Sequence, residues 1–365
     1  MKISIGFKQI TGPFGGGNQF LQNLQKFLKE NGHTVVNHLN DLDIDIILIT
    51  NPLIDSETST FNNFDVDNYV RFKNPTSIVF QRINECDERK GTNFINTKLN
   101  KFNRNVDINL FVSSWLKDLF SEYDLGRKKN YVILGGPDKL IFNNKDKIKW
   151  DKKEKIKLVT HHWSNNWLKG FDEYLFIDSL LSDLKNQKKF QFTYIGNIPK
   201  NIEFKNTKLI APISDIELAQ ELKKHDIYIT ASKNEPSGNH HMEAAMCGLP
   251  ILYVNSGGLP EYCNEFGEEF NKINFIDALE TISKNYEVFY EKLRNYPFTF
   301  ENAARNYLTI FEKSLIEKES IIKNRNIQPK VVVKFKYCLS ICRKKIYKNF
   351  ITLKQYLGTI KKRIK

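Results

Sequence analysis

The chain has 365 residues, of which 41% are hydrophobic and 27% charged, and its formal net charge at pH 7 is +13. This length suits two domains of ordinary size, and no apolar run approaches the roughly 18 residues of a membrane span. The five cysteines are odd in number and include no C-x-x-C pair, which disfavours a disulfide framework or a zinc site. The sequence begins without a recognisable signal peptide, so a cytoplasmic protein is expected.

The positive charge is concentrated at the carboxyl end of the chain. Residues 321–365 contain fourteen Lys and Arg and no Asp or Glu, which leaves 41 basic and 42 acidic residues in 1–320, a net charge of −1. We therefore interpret the chain as a neutral body followed by a basic tail.

Short apolar runs alternate with helical patterns through the first half. Continuous apolar runs of this length are typical of parallel strands covered on both faces. A glycine-rich turn at 11–18 precedes a helical pattern at 20–29, and its glycines would let the backbone approach a ligand closely. Residues 61–72 and 92–102 are connecting helices or irregular segments. Strands are predicted at 3–7, 35–36, 44–49, 77–80, 108–112 and 131–134.

A charged segment at 143–155 contains few apolar residues and is typical of an exposed linker. We therefore place a domain boundary near residue 150. The alternating pattern restarts beyond it, with strands predicted at 156–160, 190–195, 208–211, 227–230 and 251–254.

The segment Asp226–Cys263 carries the most chemical information. It predicts a strand, a polar loop, a helix and a second strand, which together form a βαβ unit. Ligands of open parallel sheets bind at the carboxyl ends of the strands, beside helix N-termini. The Glu243 carboxylate can accept hydrogen bonds from paired hydroxyls there, and the amides of Gly238–His240 can meet phosphate oxygens. A site that offers a carboxylate to hydroxyls and backbone amides to phosphate suits a nucleotide sugar.

The same segment resembles a known family. Glu235-x7-Glu243 between two strands, followed by G-L-P at 248–250 and G-G-L-P-E at 257–261, is similar to glycosyltransferase family four, of the glycosyl transferases group 1 type. Members are retaining enzymes of the GT-B fold, in which two Rossmann-like, doubly wound parallel-sheet domains face a cleft. The resemblance is best over 156–312 and looser in the first half. It implies an acceptor-side domain at 1–150, a donor-side domain at 151–318 and a basic amphipathic tail at 319–365.

The resemblance also implies roles for individual residues. Glu235 would hold the hydroxyls of the donor sugar, Glu243 those of the ribose, and Lys169 would stabilise the departing diphosphate, as a compact ammonium can. The candidate catalytic residues are therefore Glu235, Lys169 and Asp87. Further donor-binding candidates are Gly16, Gly17, His162, Gly238, Asn239 and His240.

Asp87 is chosen at a position where the sequence departs from the family. Many members carry a histidine that contacts the sugar after the strand at 77–80, but here the segment QRINECDERK at 81–90 contains none. Asn84, Glu85 and Asp87 are the candidates for that place, and a solvated charged loop is the alternative.

A second departure concerns the phosphate site. The family usually carries an arginine five or six residues before the lysine, where Trp163 and Ser164 stand here. His161 and His162 are near enough to substitute for it. The adjacent pairs His161-His162 and His240-His241 do not predict a metal site, because neighbouring rings diverge and no third ligand has metal-like spacing. No cofactor is expected beyond the nucleotide-diphosphate sugar, which is the donor substrate.

The tail predicts a basic amphipathic helix. Apolar residues recur at steps of three and four, beginning with Leu339, Cys342 and Ile346, and Lys and Arg occupy much of the remainder. This pattern is typical of a helix that lies on an anionic membrane surface, here through residues 330–365. A helix that docks on a partner or covers the core is an alternative. A nucleic-acid arm is disfavoured because the neutral body has no basic, aromatic-rich groove.

The sequence thus predicts a retaining, hexosyltransferase-like enzyme on the inner face of the cell membrane. It would move a sugar from a nucleotide-diphosphate sugar to a lipid-linked or cell-surface polysaccharide or lipopolysaccharide precursor. The expected partners are the nucleotide sugar, a glycan or glycolipid acceptor and an anionic membrane, without nucleic acid. The alternative is a non-catalytic nucleotide-sugar-binding scaffold of the same fold, held at the membrane by its tail.

Overall fold

The fold is described from a computed structural model of the chain. The structure describes residues 1–8, 16–53, 56, 58–325 and 329–363. Most of the predicted glycine-rich turn at 11–18 therefore lies outside the described residues.

The first half folds into a sheet of six parallel strands, in the order β2-β1-β3-β4-β5-β6, with helices packed against it. The strands are β1 Lys2–Ile5, β2 Thr34–Val36, β3 Ile46–Ile49, β4 Ile78–Ile83, β5 Ile108–Phe111 and β6 Lys129–Val132. The helices are α1 Gly16–Glu30, α2 Asn63–Phe72, α3 Asp87–Lys90, α4 Ile95–Phe102 and α5 Ser114–Leu119. All four residues of β3 and of β5 are buried, as the continuous apolar runs predict.

The second half forms another six-stranded parallel sheet, in the order β12-β11-β10-β7-β8-β9. Its strands are β7 Ile156–His162, β8 Phe190–Gly196, β9 Lys208–Ile210, β10 Ile227–Thr230, β11 Ile251–Tyr253 and β12 Gly267–Glu269. Its helices are α6 Phe171–Leu180, α7 Leu184–Lys189, α8 Asp215–Leu222, α9 Asn239–Met246, α10 Leu259–Cys263, α11 Phe275–Lys284 and α12 Tyr286–Leu293. The predicted fold of two Rossmann-like parallel-sheet domains is confirmed.

Helix α13, Phe300–Ile316, returns from the second domain to the first. Its apolar side, which includes Phe300, Tyr307 and Phe311, is buried in the core of the first domain against residues such as Leu24 and Phe80. The sequence-based limit of 151–318 assigned this helix to the second domain. By its packing it belongs to the first.

The basic tail begins as part of the first domain. After α14, Lys318–Lys323, the guanidinium of Arg325 is almost fully buried and lies 2.6 Å from the Asp107 carboxylate. Helix α15, Lys330–Arg363, then packs along α2, with Val333 and Ser340 buried. The separation of a neutral body from a basic tail is therefore wrong for the first part of the tail. An amphipathic pattern does not reveal which side of a helix finds a partner.

The opposite side of α15 is exposed. Val331, Phe335, Leu339 and Ile346 have exposed fractions of 80%, 64%, 46% and 68%. This exposed side includes Leu339 and Ile346 of the predicted apolar face, whose membrane binding stays a prediction. Within the described ranges, no helix is both long and apolar enough to cross a membrane.

Candidate active site

The candidate site lies in the cleft between the two domains. A central cavity of about 410 Å³ is lined by both domains. An adjoining outer pocket of about 140 Å³ is lined mainly by the second domain. The first domain contributes Gly17, Phe20, Arg82, Asn84, Glu85, Arg89 and Lys90 to the central cavity, and the second contributes Ser164, Asn166, Lys169 and Glu235–His240.

Glu235 lies in a loop that follows β10 and is held by backbone hydrogen bonds. The amide of Lys233 donates to the Leu168 carbonyl, and the amide of Gly258 donates to the Glu235 carbonyl, each at 2.8 Å. Gly257 has φ +64°, and a Cβ there would lie 2.5 Å from the Glu235 backbone, so only glycine fits. The G-G-L-P-E motif thus fixes the loop that presents Glu235.

Lys169 ends a short 3₁₀ turn, Trp167–Lys169, in which the Asn166 side chain accepts a hydrogen bond from the Leu168 amide. Gly170 follows with φ +95°, and a Cβ there would lie 2.3 Å from the Ala231 carbonyl oxygen. This close approach of the turn to the β10 loop carries the Lys169 ammonium to 2.7 Å from Glu235 Oε2. The two predicted catalytic residues of the second domain are therefore brought together.

Arg89 of the first domain reaches the same carboxylate. Its Nε lies 3.2 Å from Glu235 Oε2, and all three side chains are at most 13% exposed. Sequence reasoning missed Arg89. The unusual polarity of residues 81–90 was the available signal, but no local pattern encodes a pairing between residues of two domains.

This three-residue centre is positively charged. Burial raises the pKa of the Glu235 carboxyl, but Lys169 and Arg89 outweigh it and bring that pKa down to about 2. Burial lowers the pKa of Lys169, and Glu235 opposes this shift. Two cations share one carboxylate, and buried charge is costly unless it is compensated. An anionic ligand in the cavity would supply the missing negative charge.

Asp87 does not line the cavity. Its Oδ1 accepts hydrogen bonds from the amides of Phe94 and Ile95 at 2.9 and 2.8 Å, and its Oδ2 accepts from the Asn96 amide at 3.1 Å. Both carboxylate oxygens of Asp87 thus bind its own loop, and its predicted catalytic role stays a prediction. Asp87 orders the segment that carries Arg89.

Glu243 lies on α9 and lines the outer pocket. Its Oε2 is 2.8 Å from Nε2 of His161, a contact that links β7 to α9. The pair leaves Glu243 Oε1 to accept further hydrogen bonds. The predicted ribose contact is compatible with this geometry and stays a prediction.

His240 and His162 are more enclosed than the sequence suggested. His240 Nε2 lies 2.8 Å from Thr230 Oγ1, and His162 Nε2 lies 2.7 Å from the Tyr174 hydroxyl. Burial, together with neighbouring cationic groups such as Lys169, lowers the pKa of both imidazoles well below the usual value. This shift favours the neutral imidazole at pH 7, and the predicted donor-binding roles of His162 and His240 stay predictions.

The remaining predicted donor-binding residues lie at the N-termini of two helices, α9 and α1. Gly238 precedes α9, and Gly238 and Asn239 line the central cavity, where exposed amides favour an anion. A Cβ on Gly238 would lie 2.5 Å from the His240 ring. Helix α1 begins at Gly16, and Gly17 lines the cavity.

Two contacts hold the domains together beside the cavity. The Glu261 carboxylate accepts hydrogen bonds from the amides of Ser114 and Trp115, both at 2.8 Å, and so caps α5 of the first domain. The Tyr262 hydroxyl donates to the Val112 carbonyl at 2.9 Å. Among the described residues, no group of three or more His, Cys, Asp or Glu side chains is arranged to hold a metal ion.

Residues 177–296 match the model of the family described as glycosyl transferases group 1. The match contains Glu235 and Glu243 but neither Lys169 nor Arg89. No match to the curated proteins was found by sequence.

Several solved structures align with both domains over most of this chain. The sucrose-phosphate synthase of Thermosynechococcus elongatus aligns with a TM-score of 0.59 at 12% identity, over 87% of this chain and 99% of that one. A glycosyltransferase from Rickettsia africae aligns with a TM-score of 0.62 at 15% identity, over 88% and 98%. Anabaena HepE, solved with UDP and glucose, aligns with a TM-score of 0.58 at 11% identity, over 85% and 99%. At these identities the likeness establishes the fold.

Proposed function

We propose that this chain, which has the GT-B fold and matches the glycosyl transferases group 1 model over residues 177–296, is a retaining glycosyltransferase that uses a nucleotide-diphosphate sugar. The observation that carries the proposal is the convergence of Lys169 and Arg89 on Glu235, in a cavity lined by both domains. A nucleotide sugar offers anionic oxygens to the cations and hydroxyls to the carboxylate.

The donor would lie along the cleft. Its nucleoside would enter the outer pocket, where Glu243 and His161 meet, and its diphosphate would lie beside the start of α9. Lys169 and Arg89 would neutralise the charge that develops on the diphosphate as the glycosidic bond breaks. Such preorganised groups stabilise a transition state more than a ground state.

Glu235 would act as a hydrogen-bond acceptor for the donor sugar. Its pKa of about 2 keeps it ionised at neutral pH, so it is unsuited to donate a proton to a leaving group. Retention is proposed from the family resemblance, and this assignment of Glu235 is compatible with it.

We propose a lipid-linked or cell-surface polysaccharide or lipopolysaccharide precursor as the acceptor, approached from an anionic membrane surface. The support is the exposed apolar side of α15, to which Phe335, Leu339 and Ile346 belong, in a segment rich in Lys and Arg. Peripheral helices with apolar and basic faces bind anionic lipid in this way.

A non-catalytic scaffold that binds nucleotide sugars is the second candidate. The observation in its favour is the first-domain wall of the cavity, where Asn84 and Glu85 follow β4 in place of the family's histidine. The two candidates differ in whether a bound donor is consumed.

One screen tests both. UDP-, GDP- and ADP-sugars are tested for thermal stabilisation of the full chain and for slow hydrolysis, with UDP-sugars first because HepE was solved with UDP. A donor at 100 times its dissociation constant should stabilise the fold by about 2.7 kcal/mol. Stabilisation without hydrolysis or transfer would favour the scaffold. No stabilisation by any donor would contradict both.

A further inference from the structure

A third pocket, the lateral pocket, opens beside the central cavity and is formed by the first domain alone. Its volume is about 270 Å³. One wall is the segment after β3, including Pro52, and another is α4, including Lys98. Arg82, Asn84, Glu85 and Lys90 line both this pocket and the central cavity. A molecule in the lateral pocket would therefore lie next to a donor in the cleft.

The lining of the lateral pocket is positive. Its described residues include three cations, Arg82, Lys90 and Lys98, and one carboxylate, Glu85, which pairs with Lys90 at 3.1 Å. Lys98 lies 4.3 Å from the ring centre of Phe94, and Arg82 lies 5.1 Å from that of Phe20. Within the described part of the chain, neither Arg82 nor Lys98 has a carboxylate within ion-pair distance, so the described lining has an excess of two positive charges.

The tail helix passes close to this pocket. Lys334 of α15 lies 5.0 Å from the ring of Phe72, at the end of α2. Further along α15, Lys344 lies 2.6 Å from the carboxylate of Asp65, in the first turn of α2. Helix α15 therefore runs antiparallel to α2, towards the end of α2 where the Asn63 amide donates to the carbonyl of Pro52 in the pocket wall.

Beyond Lys344 the helix continues to Arg363, a further length of about 28 Å at 1.5 Å per residue. The exposed apolar side of α15 thus belongs to a helix that extends past the start of α2, which is hydrogen-bonded to the pocket wall at Pro52. A membrane surface held by this side would lie near the pocket.

We propose that the lateral pocket binds a phosphate or diphosphate group of the acceptor. This inference rests on the proposed function. A phosphate monoester carries a charge of about −1.5 to −2 at pH 7, which matches the excess of two positive charges in the described lining, whereas a single carboxylate would leave one cation uncompensated. Arginine and lysine are both suited to phosphate. The course of α15 favours a phosphate-linked lipid over a soluble phosphorylated glycan as its source.

The test uses the full chain and a soluble probe, hexyl diphosphate, with hexyl glucoside as the neutral comparison. Binding is measured by calorimetry. Lys98→Gln should weaken hexyl diphosphate binding about tenfold, the size of one lost charge-assisted hydrogen bond. Lys101→Gln is the matched control, because Lys101 is exposed on the same helix and does not line the pocket; it should change binding less than about twofold.

Three outcomes would overturn the proposal. In the first, the wild type does not bind hexyl diphosphate. In the second, Lys98→Gln and Lys101→Gln bind it with equal affinity. In the third, Lys169→Ala abolishes binding and Lys98→Gln preserves it. The last would place the probe in the central cavity. Donor-induced stabilisation is measured in parallel, so a failure of the nucleotide-sugar proposal is recorded separately from a failure of the lateral pocket.

The source of the phosphate is tested with a long-chain prenyl diphosphate in neutral vesicles. If the source is a lipid, the wild type should bind it at least about tenfold more tightly than hexyl diphosphate. Leu339→Asn on the exposed side of α15 should remove that gain. If both probes bind with equal affinity, the lateral pocket is still a phosphate site, and its ligand is a soluble phosphorylated glycan.

Discussion

Replacement of Arg89 by glutamine tests the centre that joins the two domains. Arg89→Gln keeps a polar side chain but removes the charge whose Nε lies 3.2 Å from Glu235 Oε2. If Arg89 stabilises the leaving diphosphate, kcat/KM for donor cleavage should fall by roughly 10² to 10³, the loss typical of one preorganised charge-stabilising group. Arg89→Lys should restore only part of the lost kcat/KM, because an ammonium cannot reproduce the planar guanidinium.

The expected loss in the free energy of unfolding is smaller than for a buried charge left without any partner. Removing the only partner of a buried charge costs about 3–5 kcal/mol, but the Lys169 ammonium remains 2.7 Å from Glu235 Oε2 in the variant. The free energy of unfolding should therefore fall by less than this range. Urea unfolding measures it, and donor cleavage is assayed under conditions in which the variant is folded.

Arg104→Gln is the control, because Arg104 is an exposed arginine of the same domain. It should leave both donor cleavage and unfolding close to wild type. If Arg89→Gln cleaves the donor within about threefold of wild type, a factor worth under 1 kcal/mol, Arg89 is only a structural partner of Glu235 and its role at the diphosphate is refuted.

Four further predictions concern other parts of the molecule. Lys169→Ala should lower kcat/KM by roughly 10² to 10³, measured as nucleoside diphosphate release, and near-normal release would exclude the role. Glu243→Ala should weaken nucleotide sugar and free nucleotide alike, whereas Glu235→Ala should reduce turnover more than nucleotide affinity; calorimetry with both ligands separates them. Burial lowers the pKa of His225 from 6.5 to about 4, so the neutral imidazole contributes stability above pH 6.5 that is lost towards pH 4. Between pH 7 and pH 4, the free energy of unfolding of His225→Gln should therefore rise by about 3 kcal/mol relative to wild type, as measured by urea unfolding. A difference between the two proteins that stays constant with pH would contradict this. Leu339→Asn should weaken salt-sensitive binding to anionic vesicles, and unchanged cosedimentation would remove the exposed side of α15 from the membrane contact.

Much of the fold could be predicted because its signals are local. Buried parallel strands such as β3 and β5 read as continuous apolar runs. The loop carrying Glu235 is fixed by glycines whose motif is contiguous in the sequence. Strand β12, Gly267–Glu269, has two glutamates and no apolar residue, so no pattern predicted it.

The site could be predicted only in part, because its pairings are distant. Arg89 and Glu235 meet only when two domains fold against each other. The contacts of Asp87 with its own loop were not foreseen, because a carboxylate that caps a loop has the same sequence context as one that contacts a ligand. In the tail, the helical period indicates an apolar side but does not distinguish Val333, which is buried, from Leu339, which is exposed.

The central claim is that the cleft holds a nucleotide sugar and cleaves its glycosidic bond with retention. Proton NMR of the full chain with an α-linked UDP-, GDP- or ADP-sugar follows donor loss and the anomer that first forms. We predict that one donor is consumed, that the first free or transferred sugar is the α anomer, and that Lys169→Ala slows the reaction by roughly 10² to 10³. A donor that binds but is never consumed, or a first product that is the β anomer, would contradict the claim.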